Sequence, residues 1–138
     1  MRPGLDVTQV ACPLFVQLVE AGWIDRNDEV TVATAKRYLQ PLIEAEVDTV
    51  ILGCTHFPAI KEIIADIMGE SVTFINSGAE AALTAAEYLK KNGLLGDGGR
   101  RRYFVSDRPE SFASTAGILL GNEISDVETV SLEDFGGK

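Results

Sequence analysis

One stretch, residues 48–68, restricts the fold of this chain more than any other, because a short apolar run passes there directly into an amphipathic helix. Thr49, Val50, Ile51 and Leu52 form a run of the length and β-branched composition of a buried parallel strand. Gly53 permits a tight turn, and Pro58 suits a first helical turn, where its missing N–H costs no bond. Ile60, Ile63, Ile64 and Ile67 then fall at i, i+3, i+4 and i+7, which predicts a helix over Ala59–Met68 with one buried face. Cys54, Thr55 and His56 sit between the strand's carboxyl end and the helix's amino end, the edge where ligands bind in open α/β sheets.

The same alternation runs along the rest of the chain. Leu5–Ala11 reads as a strand ended by Cys12-Pro13, and Leu14–Ala21 as a short helix with Gly22 at C′. Asn27 is placed to cap a helix through Leu39, with Pro41 starting or kinking its last turns. Gly69 closes the Ala59–Met68 helix, and Ser71–Asn76 reads as another strand. Ser77 and Glu80 stand at capping-box spacing before a helix from Ala79 to about Asn92, stopped by Gly93. Residues 93–101, with four glycines, read as a flexible loop or a hairpin turn. Arg102–Ser106 reads as a strand, and Asp107 with Glu110 as a second cap-like pair. Phe112, Ala116, Leu119 and Leu120 give the next helix a buried face. Val127–Leu132 is a last strand, and the Gly-Gly-Lys end is expected to fray. Strands alternating with helices define an α/β class with a largely parallel sheet flanked by helices.

A length of 138 residues accommodates one domain of ordinary size, and no apolar run reaches the length of a membrane span. The amino terminus lacks the apolar core of a signal peptide, so the chain reads as soluble and cytoplasmic. A net charge of −9 argues against nucleic-acid binding, since no basic cluster exceeds Arg100-Arg101-Arg102. Cys12 and Cys54 are expected to be free thiols in a reducing compartment.

Several blocks carry a resemblance. Gly53-Cys54-Thr55-His56-Phe57-Pro58, preceded by Asp48-Thr49-Val50-Ile51-Leu52, resembles the second cysteine motif of the glutamate racemases. Ala11-Cys12-Pro13-Leu14-Phe15-Val16 with Leu18-Val19-Glu20 is similar to a neighbouring signature of that family. Asn76-Ser77-Gly78-Ala79-Glu80 and Tyr103-Phe104-Val105-Ser106-Asp107 resemble its last blocks. The blocks occur in the family's order over nearly the whole chain. The family's amino-terminal half, with its aspartate–serine opening and its other catalytic cysteine, has no counterpart here. The resemblance implies a two-lobe fold with the active site between the lobes. Residues 1–76 would then be a second-lobe segment carrying the Gly-Cys-Thr-His motif, and 77–138 a carboxy-terminal segment packed on the absent first lobe.

The activity so implied is interconversion of L- and D-glutamate by two-base cysteine chemistry, without cofactor or metal, for peptidoglycan precursor supply. Taking an α-proton needs a base on one face and an acid on the other, and tunable thiols meet both needs. Cys54 would be one such thiol, His56 would assist it, Glu20 would pair with His56, and Thr55 with exposed backbone N–H groups would hold the substrate's carboxylate. From the residues alone, each has a plainer reading. A cysteine is most often a small buried hydrophobe, a single histidine a hydrogen-bonded structural group, and a glutamate in a helix's last turn a solvated charge. Gly53 before Cys54 and Thr55-His56 after it favour an exposed thiol.

Cys12 is read as structural, packed against Leu14 and Phe15. A metal site of Cys12, Cys54 and His56 falls short of the four ligands of closed zinc sites. A Cys–His hydrolase lacks a separate base and oxyanion hole, and a redox pair lacks Cys-x-x-Cys. Two departures from the family pattern stand out: Gln17 where proline is usual, and Phe57 where tyrosine is usual. An aspartate racemase remains open, because the resemblance places the substrate-distinguishing residues in the absent half. The implied partners are glutamate and either the missing half or a second copy, with neither nucleic acid nor membrane. The rival from another class is a truncated, catalytically inactive binding or regulatory module.

Overall fold

The computed structural model describes residues 4–96, 98–131 and 133. By its contacts the chain divides into two compact units, residues 1–84 and 85–138. The first contains α1 (Pro13–Glu20), α2 (Glu29–Glu44), β1 (Thr49–Ile51), a 3₁₀ turn (Phe57–Ile60), α3 (Lys61–Met68) and β2 (Thr73–Ile75). The helix α4 (Ser77–Lys91) crosses the division, and the second unit adds β3 (Tyr103–Val105), α5 (Pro109–Leu120) and β4 (Val127–Thr129). The predicted α/β class holds, and every strand pairing among the described residues is parallel. The strands form two separate two-stranded sheets, β1 with β2 and β3 with β4. A parallel pair needs a crossover connection, and α3 and α5 supply one each.

The buried core lies in the first unit. Phe15, Leu18 and Val19 of α1 meet Ala35 and Leu39 of α2, Val50 and Leu52, and Ile60, Ile63 and Ile64. The predicted isoleucine face is therefore inside, with Ile67 packed at its margin. Strand β1 is not buried on both faces as expected: Val50 is enclosed, but Ile51 is 64% exposed. Helices cover only one side of this pair, so its side chains alternate between core and surface. Phe15 is the centre of the packing. Its ring meets those of Tyr38 and Phe57 edge-on at centroid distances of 5.2 and 5.4 Å. Phe15→Ala is expected to lower the unfolding free energy by about 3–5 kcal/mol, measured by urea titration, because truncation removes both ring contacts and leaves a cavity. A loss under about 1 kcal/mol would show that the site collapses around the alanine.

Several boundaries differ from the sequence reading. Leu5–Ala11 is not a strand; Leu5 and Val7 are exposed, and β1 and β2 pair only with each other, so no ladder reaches this segment. The cap of α2 is Asp28, not Asn27, because Asp28 Oδ1 accepts the Thr31 N–H at 2.8 Å. That helix continues past Leu39 and through Pro41 to Glu44. Packing of Leu39 and Leu42 on the core offsets the hydrogen bond that the proline cannot make. Asn76, not Ser77, caps α4, its Oδ1 accepting from Gly78 and Ala79 N–H. Helix α5 follows Arg108, with Pro109 in its first turn and no side-chain cap from Asp107. Phe112 and Ala116 are half-buried, whereas Leu119 and Leu120 are exposed, since a two-stranded sheet covers only part of the helix. Strand β4 ends at Thr129, and the expectations for Leu132 and the Gly-Gly-Lys end lie outside the described residues.

The glycine predictions hold at the ends of α1 and α4, where Gly22 is expected at C′ and Gly93 is expected to stop the helix. At Gly22, φ is +79°; its N–H donates to Val19 O, and Trp23 N–H donates to Leu18 O. Gly93, at φ +65°, repeats the arrangement with Lys90 and Leu89. These paired bonds are the Schellman closure that a left-handed residue makes possible. Among the described residues the second unit contributes none of the buried core side chains, and α4 buries no residue along its length. Leu83, Tyr88, Leu94 and Leu95 are each at least 58% exposed. Among the described residues no helix is long and apolar enough to cross a membrane.

Candidate functional site

At the carboxyl end of β1 the chain turns sharply. Leu52 N–H donates to Ile75 O, the last sheet bond, and Gly53 leaves the ladder. The following residues coil back on themselves, with Phe57 N–H donating to Cys54 O at 3.3 Å and Ala59 N–H to His56 O at 3.0 Å. The helix expected from Ala59 begins as a 3₁₀ turn over Phe57–Ile60 and becomes α-helical at Lys61. Short i→i+3 closures are common at helix starts, and here they hold His56 next to Cys54. Phe57 anchors the turn from below through its contact with Phe15. The tyrosine-to-phenylalanine departure thus leaves a ring that packs, with no hydroxyl to place.

Across from this turn stands the last residue of α1, Glu20. The structure brings it to His56: Nε2 lies 3.2 Å from Glu20 Oε1. The histidine side chain is 18% exposed and the glutamate 50%. An ionised carboxylate only accepts, so this bond places a proton on Nε2, and when the ring is neutral Nδ1 is an acceptor. Two donors converge on Nδ1, the Thr55 hydroxyl at 3.2 Å and the Cys54 thiol at 3.9 Å. Glu20, His56, Thr55 and Cys54 therefore form one connected set, drawn from a helix end and a turn 36 residues apart. Such a set can receive a thiol proton on Nδ1 while the carboxylate steadies the resulting imidazolium.

Cys12 lies outside it. Its sulfur faces the Val10 carbonyl at 3.7 Å, and it packs against the core above Phe15's helix, while Leu14 is turned outward. Burial pushes the Cys12 thiol up from its ordinary value. A raised thiol holds its proton more tightly when folded, so its contribution to stability is intact below the ordinary thiol value and is lost as pH rises from there through the raised folded value. Iodoacetamide is expected to label Cys12 more slowly than Cys54 at neutral pH, with Cys12 catching up only in alkali; peptide mapping of timed samples reads both. Equal neutral rates would remove the distinction. Among the described residues no three His, Cys, Asp or Glu side chains gather to hold a metal ion.

One link lay beyond the sequence reading: Phe15, seen there as part of a packing run, ties Glu20's helix to the His56 turn through Phe57. The aromatic pair Phe15 and Phe57 in the two motif blocks was the available signal. A second group on the surface, Arg26 bound to both oxygens of Asp66 at 2.6 and 2.5 Å, joins the loop before α2 to α3. It lies on other elements than the cysteine turn.

A parallel pair with a thiol, an imidazole and a hydroxyl gathered at its carboxyl edge defines an α/β protein with a candidate site at that edge. No family model matches the chain. It is 44% identical over 136 residues to the glutamate racemase of Geobacter metallireducens, a match covering 96% of this chain and 50% of that protein. It is 40% identical over 132 residues to the glutamate racemase of Chlorobaculum parvum, covering 94% and 48%. Among solved structures, a glutamate racemase isoform from Bacillus anthracis superposes with a TM-score of 0.82 at 34% identity, covering 95% of this chain and 49% of that one. The Francisella tularensis glutamate racemase, solved in complex with D-glutamate, gives 0.82 at 32% identity, covering 96% and 50%. Over nearly all of its length the chain is thus similar in sequence and fold to about half of each of these glutamate racemases. The chain spans about half the length of the curated relatives it matches.

Proposed function

We propose that this chain is the carboxy-terminal part of a cofactor-independent glutamate racemase and supplies one of its two acid–base thiols. The observation that carries the reading is the connected set Glu20–His56–Cys54, aligned at the carboxyl edge of β1. Cys54, as thiolate, takes the α-proton from glutamate on one face, and the electron pair left on carbon delocalises into the adjacent carboxylate. A thiol from the other half delivers a proton to the opposite face, which inverts the centre. His56 accepts the Cys54 proton on Nδ1 and so prepares the thiolate, Glu20 steadies the charged ring, and Thr55 binds the substrate's carboxylate. The resemblance further supports a cytoplasmic role in supplying D-glutamate for peptidoglycan.

Pairing with the other half has support in the uncovered apolar side chains. Leu83 and Tyr88 on α4, with Leu119 and Leu120 on α5, offer surface for that half or, without it, for a second copy. The test joins this chain to the half of the Geobacter metallireducens relative that lies outside the match. Racemisation of glutamate by the joined protein, lost in Cys54→Ala, supports the reading. A folded joined protein without turnover would leave the rival, an inactive binding module.

A further inference from the structure

Resting on that reading, we infer that Thr55 is a positioning residue that gates the thiol: its hydroxyl occupies His56 Nδ1 until a substrate carboxylate draws it away. The geometry at Nδ1 carries the inference. A neutral imidazole whose Nε2–H is committed to Glu20 has a single lone pair, on Nδ1. Two side chains compete for it, and the Thr55 oxygen stands at 3.2 Å while the Cys54 sulfur stands at 3.9 Å. The hydroxyl is within ordinary hydrogen-bond range, and the thiol is at the far limit. Thr55 is thus engaged while Cys54 waits.

The exposures fit a gate. Thr55 is exposed, so its hydroxyl can rotate toward a ligand without breaking into the core, whereas Cys54 and His56 are half-buried and fixed by the turn. A carboxylate is a stronger acceptor for a hydroxyl than a neutral ring nitrogen. Its arrival would turn the Thr55 O–H outward, free the Nδ1 lone pair and let Cys54 S–H donate there. The thiol proton then moves to Nδ1, giving a thiolate beside an imidazolium held by Glu20, with no other species consumed. The thiolate forms more readily when substrate is present, which slows alkylation and oxidation of the nucleophile in the empty site.

Few other charges bear on the imidazole. Glu20 is the only titratable side chain of α1, and the Phe57–Ile60 turn has none. Helix α3 carries Lys61, Glu62 and Asp66, the last held by Arg26. The polar partners of the His56 ring are Glu20, Thr55 and Cys54.

Two measurements on the 138-residue chain test the gate. The first is the rate of Cys54 alkylation by iodoacetamide at neutral pH, read by peptide mapping. Thr55→Val keeps the shape and removes the hydroxyl, and is expected to raise the rate about two- to tenfold, the value of one net hydrogen bond. Thr55→Ser restores the hydroxyl and should return the rate to that of the parent. His56→Asn should slow alkylation; if it does not, the coupling of His56 to Cys54 in the proposed function fails. If His56→Asn slows the reaction but Thr55→Val leaves it unchanged or lowers it, only the Thr55 gate is overturned. The second uses His56 as the single histidine of the chain, whose ring nitrogens give one set of NMR signals. Glutarate, a dicarboxylate with no amino group, should move the Nδ1 signal of the parent toward its position in Thr55→Val and leave Thr55→Val unmoved. No movement in the parent at saturating glutarate overturns carboxylate release.

Discussion

The 138-residue chain alone should not change the optical activity of L- or D-glutamate beyond its Cys54→Ala control. Inversion at the α-carbon needs a proton acceptor on one face and a donor on the other. The chain offers one thiol in a connected acid–base set, Cys54, and its other thiol faces the Val10 carbonyl with its proton held by burial. Joining the complementary half should restore turnover by a factor of about 10²–10⁴, the usual worth of a positioned acid or base. The same joining should cover the apolar side chains of α4 and α5. Sedimentation of the chain alone is then expected to show self-association that disappears in the joined protein. Turnover by the lone chain well above the Cys54→Ala control would mean that a second group inside it, or in a second copy, serves the opposite face.

How far these features could be read from the sequence depended on whether the deciding interaction was local. Gly22 and Gly93 were placed correctly because a left-handed C′ residue closes a helix within a few neighbours. The isoleucine face of α3 was equally local, since periodicity alone selects it. The caps of α2 and α4 each missed by one position. In Asn27-Asp28 and Asn76-Ser77 both residues are good caps, and only the backbone entry angle decides which oxygen reaches the third N–H. Leu5–Ala11 failed as a strand for the opposite reason. A strand exists by pairing, and its own alternation carries no record of whether a neighbour is present. At the site, the turn at Gly53 was legible, but nothing local links Glu20 to His56. That contact is tertiary, made when Phe15 packs beneath Phe57, and only the resemblance named it in advance.

In the joined protein, Cys54→Ser should slow α-proton exchange from L-glutamate into deuterated water far more than exchange from D-glutamate. Under the proposed two-thiol reading each thiol would face one side of the α-carbon, so each would remove the proton of one enantiomer. The resemblance assigns the L-enantiomer to the cysteine of this second motif, which is Cys54. Serine keeps the hydrogen-bonding shape, but a hydroxyl is a far weaker acid than a thiol and yields no useful base near neutral pH. The first step on L-glutamate therefore loses its base, at a cost of about 10²–10⁴ in rate. On D-glutamate the first step belongs to the other half's thiol, and exchange there needs only that thiol and the solvent-exchangeable proton it carries. Net racemisation falls in both directions, because Cys54 must act as acid where it does not act as base. The separation of exchange from racemisation is the informative quantity, read by NMR as loss of the α-proton signal for each enantiomer. Glu20→Gln sharpens the comparison. If Glu20 acts through His56 on Cys54 alone, across the 3.2 Å bond to Nε2, it should shift L-exchange in the same direction as Cys54→Ser and leave D-exchange near the parent's rate. Equal losses from both enantiomers in Cys54→Ser would refute the one-face role and place Cys54 where it serves both steps.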